Sequence, residues 1–237
     1  MGIDYVATGH YAKIEKGEDG KYILRASEAV KKDQSYVLYN FTQEQLAHTL
    51  MPLGGYNKDW VRQKAEELGL GVAHKPDSQE ICFVEDDDYA KFITDYSGYE
   101  PKEGDILDVN GNVIGKHRGL IYYTIGQRKG IGAYGRPMFV MKIDAENNTI
   151  TLGEKGMEFS NELTAYDVNF VSGEFPKENM LITAKVRYQA PPAAAMLCPQ
   201  KDGTVKLMFP EPQRAVTPGQ AVVFYDGDIA VSYTHLT

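Results

Sequence analysis

The spacing of apolar and polar positions changes character near residue 98. Before it the pattern is mixed. Ile3-Asp4-Tyr5-Val6-Ala7 is a short, nearly continuous apolar run that predicts a buried strand, ending in Thr8-Gly9-His10. A strand running into a Gly-His turn is a common way to place a site at the carboxyl edge of an α/β sheet. Residues 11–15 and 22–25, joined by the polar turn Gly17-Glu18-Asp19-Gly20, predict a hairpin. Thr42-Gln43-Glu44-Gln45 has the form of a capping box and predicts a short helix to about Leu50. Asn57 opens a second helix, containing Trp60, Val61, Ala65 and Leu68 and stopped by Gly69. Tyr89, Phe92, Ile93 and Tyr96 fall at i, i+3, i+4 and i+7, the spacing of one apolar helix face. After Gly98, short alternating segments are separated by Asn110-Gly111, Glu146-Asn147-Asn148, Lys201-Asp202-Gly203, Pro218-Gly219 and Asp226-Gly227. That is an all-β pattern, and from about residue 158 it reads as a small antiparallel barrel or sandwich. The fold class is therefore α/β plus all-β, with helices first and no internal repeat.

Composition adds limits. The 237 residues carry 33 acidic and 25 basic side chains, a net charge of −8, and are 43% apolar. This is a globular composition with enough chain for a sizeable core. No apolar run approaches the ~18 residues of a membrane helix, and no charged-then-apolar leader opens the chain. The two cysteines, Cys82 and Cys198, are too few for a disulfide framework and point to a reducing compartment, the cytoplasm.

Charge is uneven along the chain. Between Asp108 and Asp144 there is no acidic residue, while Lys116, Arg118, Arg128, Lys129, Arg136 and Lys142 lie there with His117, Tyr122, Tyr123 and Tyr134. Outside that stripe, 19 basic residues face 33 acidic ones. Such a stripe suits docking to a phosphate backbone; it equally suits strands and loops whose acids lie elsewhere. Glu85-Asp86-Asp87-Asp88 reads as a helix N-terminus loaded against the dipole, and nothing else has metal-ligand spacing.

Several further residues are ambiguous when taken singly. Cys82 in Asp77-Ser78-Gln79-Glu80-Ile81-Cys82-Phe83 would read as a small buried hydrophobe. His10 would read as an imidazole satisfied by backbone, and Lys32, Asp33 and Gln34 as a solvated turn. Together with Ala7-Thr8-Gly9-His10-Tyr11-Ala12, Lys32-Asp33-Gln34-Ser35-Tyr36, Tyr123-Thr124-Ile125-Gly126-Gln127-Arg128-Lys129-Gly130, and Arg187-Tyr188 followed by Thr217-Pro218-Gly219-Gln220, they form an ordered set. In order and spacing this set closely resembles the tRNA-specific 2-thiouridylase family.

The resemblance implies a fold and a set of roles. Residues 1–97 would be the remnant of a Rossmann-like ATP-pyrophosphatase domain, 98–157 a small central domain and 158–237 a C-terminal antiparallel β-barrel. Cys82 would be the catalytic cysteine that holds persulfide sulfur, a role that requires an available thiolate. Gly9 would contact ATP, expected as Mg-ATP, with no metal ligand identified in the chain. His10, Lys32, Asp33, Gln34, Arg187, Tyr188 and Gln220 would bind tRNA, with arginine suited to phosphate and tyrosine to base stacking. The implied chemistry is ATP-dependent adenylation of the wobble-uridine 2-oxygen, then displacement of AMP by the Cys82 persulfide sulfur. A second family cysteine, nearer the N-terminus, would complete the cycle by disulfide formation. The implied partners are tRNA and a cysteine desulfurase or sulfur-relay protein, with no membrane.

Two features depart from the family. No phosphate-binding loop of the Ser-Gly-Gly-Val-Asp-Ser type occurs, and the partner cysteine would lie upstream of Ala7, where six residues stand. Cys198, beside Pro199, reads as a structural thiol. The expectation is an N-terminally truncated product, inactive alone. At the other end the tail 230–237 is expected to be non-native, since Val231-Ser232-Tyr233-Thr234-His235-Leu236 resembles translated sequencing-adapter DNA. The competing class is a non-catalytic RNA-binding module on a translation-factor-like barrel, which leaves the Cys82 block unexplained.

Overall fold

Every turn signal after Gly98 falls between two strands, and four of the five join strands that pair directly. The structure is a computed structural model that describes residues 2–29, 32–38, 40–71, 73–74, 84 and 88–236, with side chains to Val231. Its elements begin with β1 (Val6–Ala7), β2 (Ala12–Lys16) and β3 (Tyr22–Ala26), then α1 (Gln43–Ala47), β4 (Thr49–Leu50), α2 (Lys58–Glu67) and α3 (Tyr89–Ser97). There follow β5 (Gly104–Leu107), β6 (Val113–His117), β7 (Met138–Asp144), β8 (Thr149–Glu154), β9 (Phe159–Phe170), β10 (Met180–Lys185), β11 (Ala193–Pro199), β12 (Val205–Arg214), β13 (Ala221–Asp226) and β14 (Ile229–Leu236). The chain forms two compact units: residues 1–75, 161–213 and 217–237, and residues 76–160 with 214–216.

In the first unit the expected hairpin is present, with β2 and β3 antiparallel and Gly17 N donating to Lys21 O at 2.8 Å. The capping box is present: Thr42 accepts from the Gln45 amide and the Gln45 side chain accepts from the Thr42 amide. α1 stops at Ala47, and Thr49–Leu50 pair as β4 in parallel with β1. The first strand differs from expectation. It is only Val6–Ala7 and is exposed, with Ile3 at 70% and Val6 at 62%. An apolar run fits a central parallel strand covered on both faces, but in the described residues β4 is its one partner. Asn57, Asp88 and Gly98 cap α2 and α3 as their residue types predict, although neither helix buries a residue.

Strands β13, β10, β11, β12, β9 and β14 follow one another around a closed barrel, since β14 pairs again with β13. Its interior is filled by Leu207, Leu197, Val205, Val222 and Phe224, all fully buried. Residues 230–236 of the tail pair as part of β14, in keeping with the β-branched and aromatic positions in Ile229-Ala230-Val231-Ser232-Tyr233-Thr234. One edge of β14 is shared: Ile229 and Ala230 pair with β3, and 232–236 pair with β9. The hairpin β2–β3 thus extends the barrel sheet. Gly227, at φ +61°, opens the two-residue loop between β13 and β14, where a side chain would be strained. Cys198 is a buried free thiol on β11, as expected of a structural residue.

The second unit is a four-stranded sheet in the order β6-β5-β8-β7 over a core of Ile106, Val140, Ile150 and Leu152. His117, counted by sequence with the basic stripe, is 1% exposed. Its Nδ1 accepts from the Gly119 amide at 3.1 Å, so Nε2 carries the proton it donates to Asn148 O at 3.0 Å. His117→Ala is expected to destabilise this unit by about 2–4 kcal/mol, because it leaves a cavity and two orphaned backbone groups. Calorimetry would show a lowered transition for this unit, and an unchanged one would contradict the assignment.

Candidate nucleic-acid interface

Gly9 and His10 follow β1 after Thr8. Thr8 N donates to Leu50 O at 3.0 Å, which fixes the turn on β4, and the Thr8 hydroxyl meets His10 Nδ1. Gly9 is exposed, and a Cβ there would meet Leu53 Cδ1 at 3.7 Å, an ordinary contact. The fold therefore has room for a side chain, and its absence leaves the backbone open to a close neighbour such as a nucleotide. Fit to a nucleotide extends to that one position.

Residues 32–38 form a turn locked in place by its own polar side chains. Asp33 Oδ1 accepts from the amides of Ser27 (3.0 Å) and Ser35 (3.2 Å), and Oδ2 accepts from Ser35 Oγ at 2.7 Å. Gln34 and Tyr11 exchange two bonds: Tyr11 N donates to Gln34 Oε1 at 3.0 Å and Gln34 N donates to Tyr11 O at 2.9 Å. Asp33 and Gln34 thus position the turn, while Lys32 stands exposed at its start.

The same turn reaches the barrel. Tyr36 donates to Ala221 O at 2.7 Å, and Ser35 Oγ lies 3.1 Å from the Tyr225 hydroxyl. Burial pushes the Tyr225 phenol up, against the effect of the hydrogen bond it shares with Ser35. The Tyr36 ring lies 5.9 Å from that of Tyr188, tilted by 57°, and Lys185 Nζ is 5.7 Å from both ring centroids. Arg187 Nη2 donates to Thr217 Oγ1 at 3.0 Å, and Gln220 N donates to Thr217 O at 3.2 Å. Tyr188 is 41% exposed. Residues more than 150 positions apart in the chain are therefore joined on one face: His10 through Tyr11 to the 32–36 turn, and that turn through Tyr36 to Arg187, Tyr188 and Gln220. Such a face offers a cation and a ring, the groups that hold phosphate and stack on a base, while the Gln220 amide oxygen is buried beneath it.

Sequence reasoning missed Lys185, which lies over the Tyr36 and Tyr188 rings. Lys185 lies two residues before Arg187 at the end of β10, and strand alternation could have flagged it. The catalytic candidate, Cys82, and the 75–83 block around it lie outside the described residues.

In the second unit the basic stripe is acid-free in sequence but not in space. Lys116 pairs with Asp105 at 2.6 Å, Arg136 with Glu154 at 2.6 Å and Lys142 with Asp144 at 3.0 Å. Arg118 lies over the Tyr122 ring at 3.9 Å. Arg128 and Lys129 stay exposed on a loop held by Gln127, whose side chain accepts from Thr124 N and donates to Lys129 O. Arg128 lines a cavity of about 370 Å³ with Gly132, Tyr134, Gly135 and Arg136.

Three family models match the chain in order, and they define the class: a tRNA methyl transferase HUP domain over residues 1–86, a tRNA methyl transferase PRC-barrel domain over 90–154 and an aminomethyltransferase beta-barrel domain over 160–231. The first is of a nucleotide-using kind. The tRNA-specific 2-thiouridylase MnmA of Acetivibrio thermocellus is 58% identical over 233 residues, 98% of this chain and 65% of its own. That of Clostridioides difficile is 54% identical over 98% of this chain and 64% of its own, and MnmA 1 of Thermoanaerobacter sp. strain X514 is 54% identical over 96% and 63%. This chain belongs to the tRNA-specific 2-thiouridylase family. It spans about two thirds of the length of these relatives.

Proposed function

We propose that this chain is the sulfur-carrying and tRNA-holding portion of a cytoplasmic tRNA 2-thiouridylase, which places sulfur on C2 of the wobble uridine. The observation that carries the reading is the joined face of His10, the 32–36 turn, Arg187, Tyr188 and Gln220, built from two distant segments. Arg187 would take a backbone phosphate, Tyr188 an unstacked base and Gln220 a base or sugar, while Asp33 and Gln34 hold the turn that presents Lys32. Cys82 would accept a sulfane sulfur from a desulfurase or relay protein as its thiolate. The outer sulfur of that persulfide would bond to C2 as AMP leaves, and a second thiol, the family's cysteine nearer the N-terminus, would cleave the S–S bond and end in a disulfide with Cys82. ATP, when bound beside Gly9, would supply the group that makes the uracil 2-oxygen a leaving group. Because no Ser-Gly-Gly-Val-Asp-Ser loop occurs in the 237 residues, the chain by itself is not expected to perform that activation. The family models are described by methyl transfer and the relatives by thiolation; the cysteine block favours sulfur. Among the described residues no helix is long and apolar enough to cross a membrane.

Incubation with a cysteine desulfurase and sulfur-labelled cysteine tests the reading. Label should be retained on Cys198→Ser, whose thiol is buried, and lost from Cys82→Ser. Label independent of Cys82, with tRNA binding intact, would favour the non-catalytic RNA-binding module.

A further inference from the structure

The fold disposes of the cations in the acid-free stripe unequally. Lys116, Arg136 and Lys142 each pair with a carboxylate, and Arg118 lies over the Tyr122 ring. Arg128 and Lys129 are exposed, and neither has an acidic partner among the described residues. Two neighbouring like charges gain nothing from each other, yet the turn beneath them is held closely.

The start of that turn is fixed to β7: Gly126 N donates to Val140 O at 2.7 Å, and Val140 N donates to Gln127 O at 3.0 Å. Its end is fixed by Ile131, which is buried in the core of the unit. Across the middle, the Gln127 side chain accepts from Thr124 N at 2.9 Å and donates to the carbonyls of Lys129 at 2.8 Å and Tyr122 at 3.3 Å. Gly126 and Gly130 bound the turn at φ +81° and +74°, where a side chain would be strained. The backbone is thus held from within, and the side chains left exposed on it are the two cations. Beside it, Arg128 lines the 370 Å³ cavity together with Gly135, whose missing side chain leaves open space. An oxyanion has room there to meet the Arg128 guanidinium. Cations ordered before binding lower the entropic cost of meeting a polyanion, and phosphate contacts of this kind set position without reading sequence.

We propose that the 126–130 turn is a second phosphate-backbone contact for the RNA. Arg128 takes one phosphate as a fork, and Lys129 takes a neighbouring one as a point charge. The proposal rests on the tRNA reading above and adds to it a contact made by the second unit, beyond that of Arg187 and Tyr188 in the first.

The test is tRNA binding to the 237-residue chain across a salt series. Neutralising both cations (Arg128→Gln with Lys129→Gln) is expected to weaken binding about tenfold and to flatten the salt slope by about one per cation removed. Lys116→Gln with Lys142→Gln makes the same change in net charge at paired positions and should leave the slope as in the parent. Arg128→Lys with Lys129→Arg, which keeps the charges, should also keep the slope. If the Arg128 and Lys129 double variant keeps the parent slope, the contact is refuted while the tRNA reading stands. An equal flattening in the Lys116 and Lys142 variant would trace the effect to net charge and refute the contact. A fall in affinity reproduced by the charge-keeping variant would mean a structural role and refute it too. Should the neutralised double variant melt early, Arg128→Gln alone decides: its slope should fall by about one, and a parent slope refutes the contact. If the parent chain binds no tRNA, the reading itself falls and this contact with it.

Discussion

Gly54→Ala is expected to destabilise the first unit by about 3 kcal/mol, lowering its melting temperature by about 10 °C. A Cβ at that position would lie 1.9 Å from the Ala12 carbonyl oxygen and 2.5 Å from its carbon. Both are backbone atoms of β2, so no rotamer change relieves the clash. Either the 51–56 turn lifts from the hairpin, losing the two bonds to Gly54 O from Ser27 Oγ and Glu28 N, or β2 shifts in the sheet. Gly9→Ala is the matched control, since its Cβ would meet only a leucine methyl at 3.7 Å. It should change stability by no more than about 0.5 kcal/mol. Thermal unfolding followed by circular dichroism separates the two, and equal effects would contradict the packing described.

The second large effect is on RNA binding. Tyr188→Ala should lower tRNA affinity by about 10- to 100-fold, the range of ~1–3 kcal/mol for one stacked base, and Tyr188→Phe should restore most of it. Because Tyr188 is 41% exposed, the melting temperature should stay nearly constant. Fluorescence anisotropy with labelled tRNA measures the first quantity. A Tyr188→Ala protein that binds as well as the parent would remove base stacking from the account of this face.

Local signals in the chain were the reliable ones. Thr42 and Gln45, Asn57, Gly98 and the Asp226-Gly227 turn each act through bonds within a few residues, so their positions could be read directly. The apolar run at Ile3–Ala7 misled because burial of a strand depends on what covers it, which its own residues do not encode. The basic stripe misled for a related reason. Strand pairing sets Asp105 against Lys116, across β5 and β6, and Arg136 beside Glu154, and a linear charge count cannot anticipate this. For the candidate site, the residues themselves were legible through the family motifs, but the division of labour among them was not. That Asp33 and Gln34 hold the turn while Lys32 and Tyr188 face outward follows from hydrogen bonds spanning many residues.

The shared edge of β14 also orders events in time. Strand β3, made of residues 22–26, finds its β14 partners only at Ile229 and Ala230, so that pairing closes a loop of about two hundred residues. Contacts of such separation form late and slowly. The second unit draws nearly all its contacts from residues 76–160 and can condense while the barrel is still being synthesised. The hairpin β2–β3, by contrast, waits with one edge bare until β14 leaves the ribosome. In that interval the nascent chain is most exposed to mispairing.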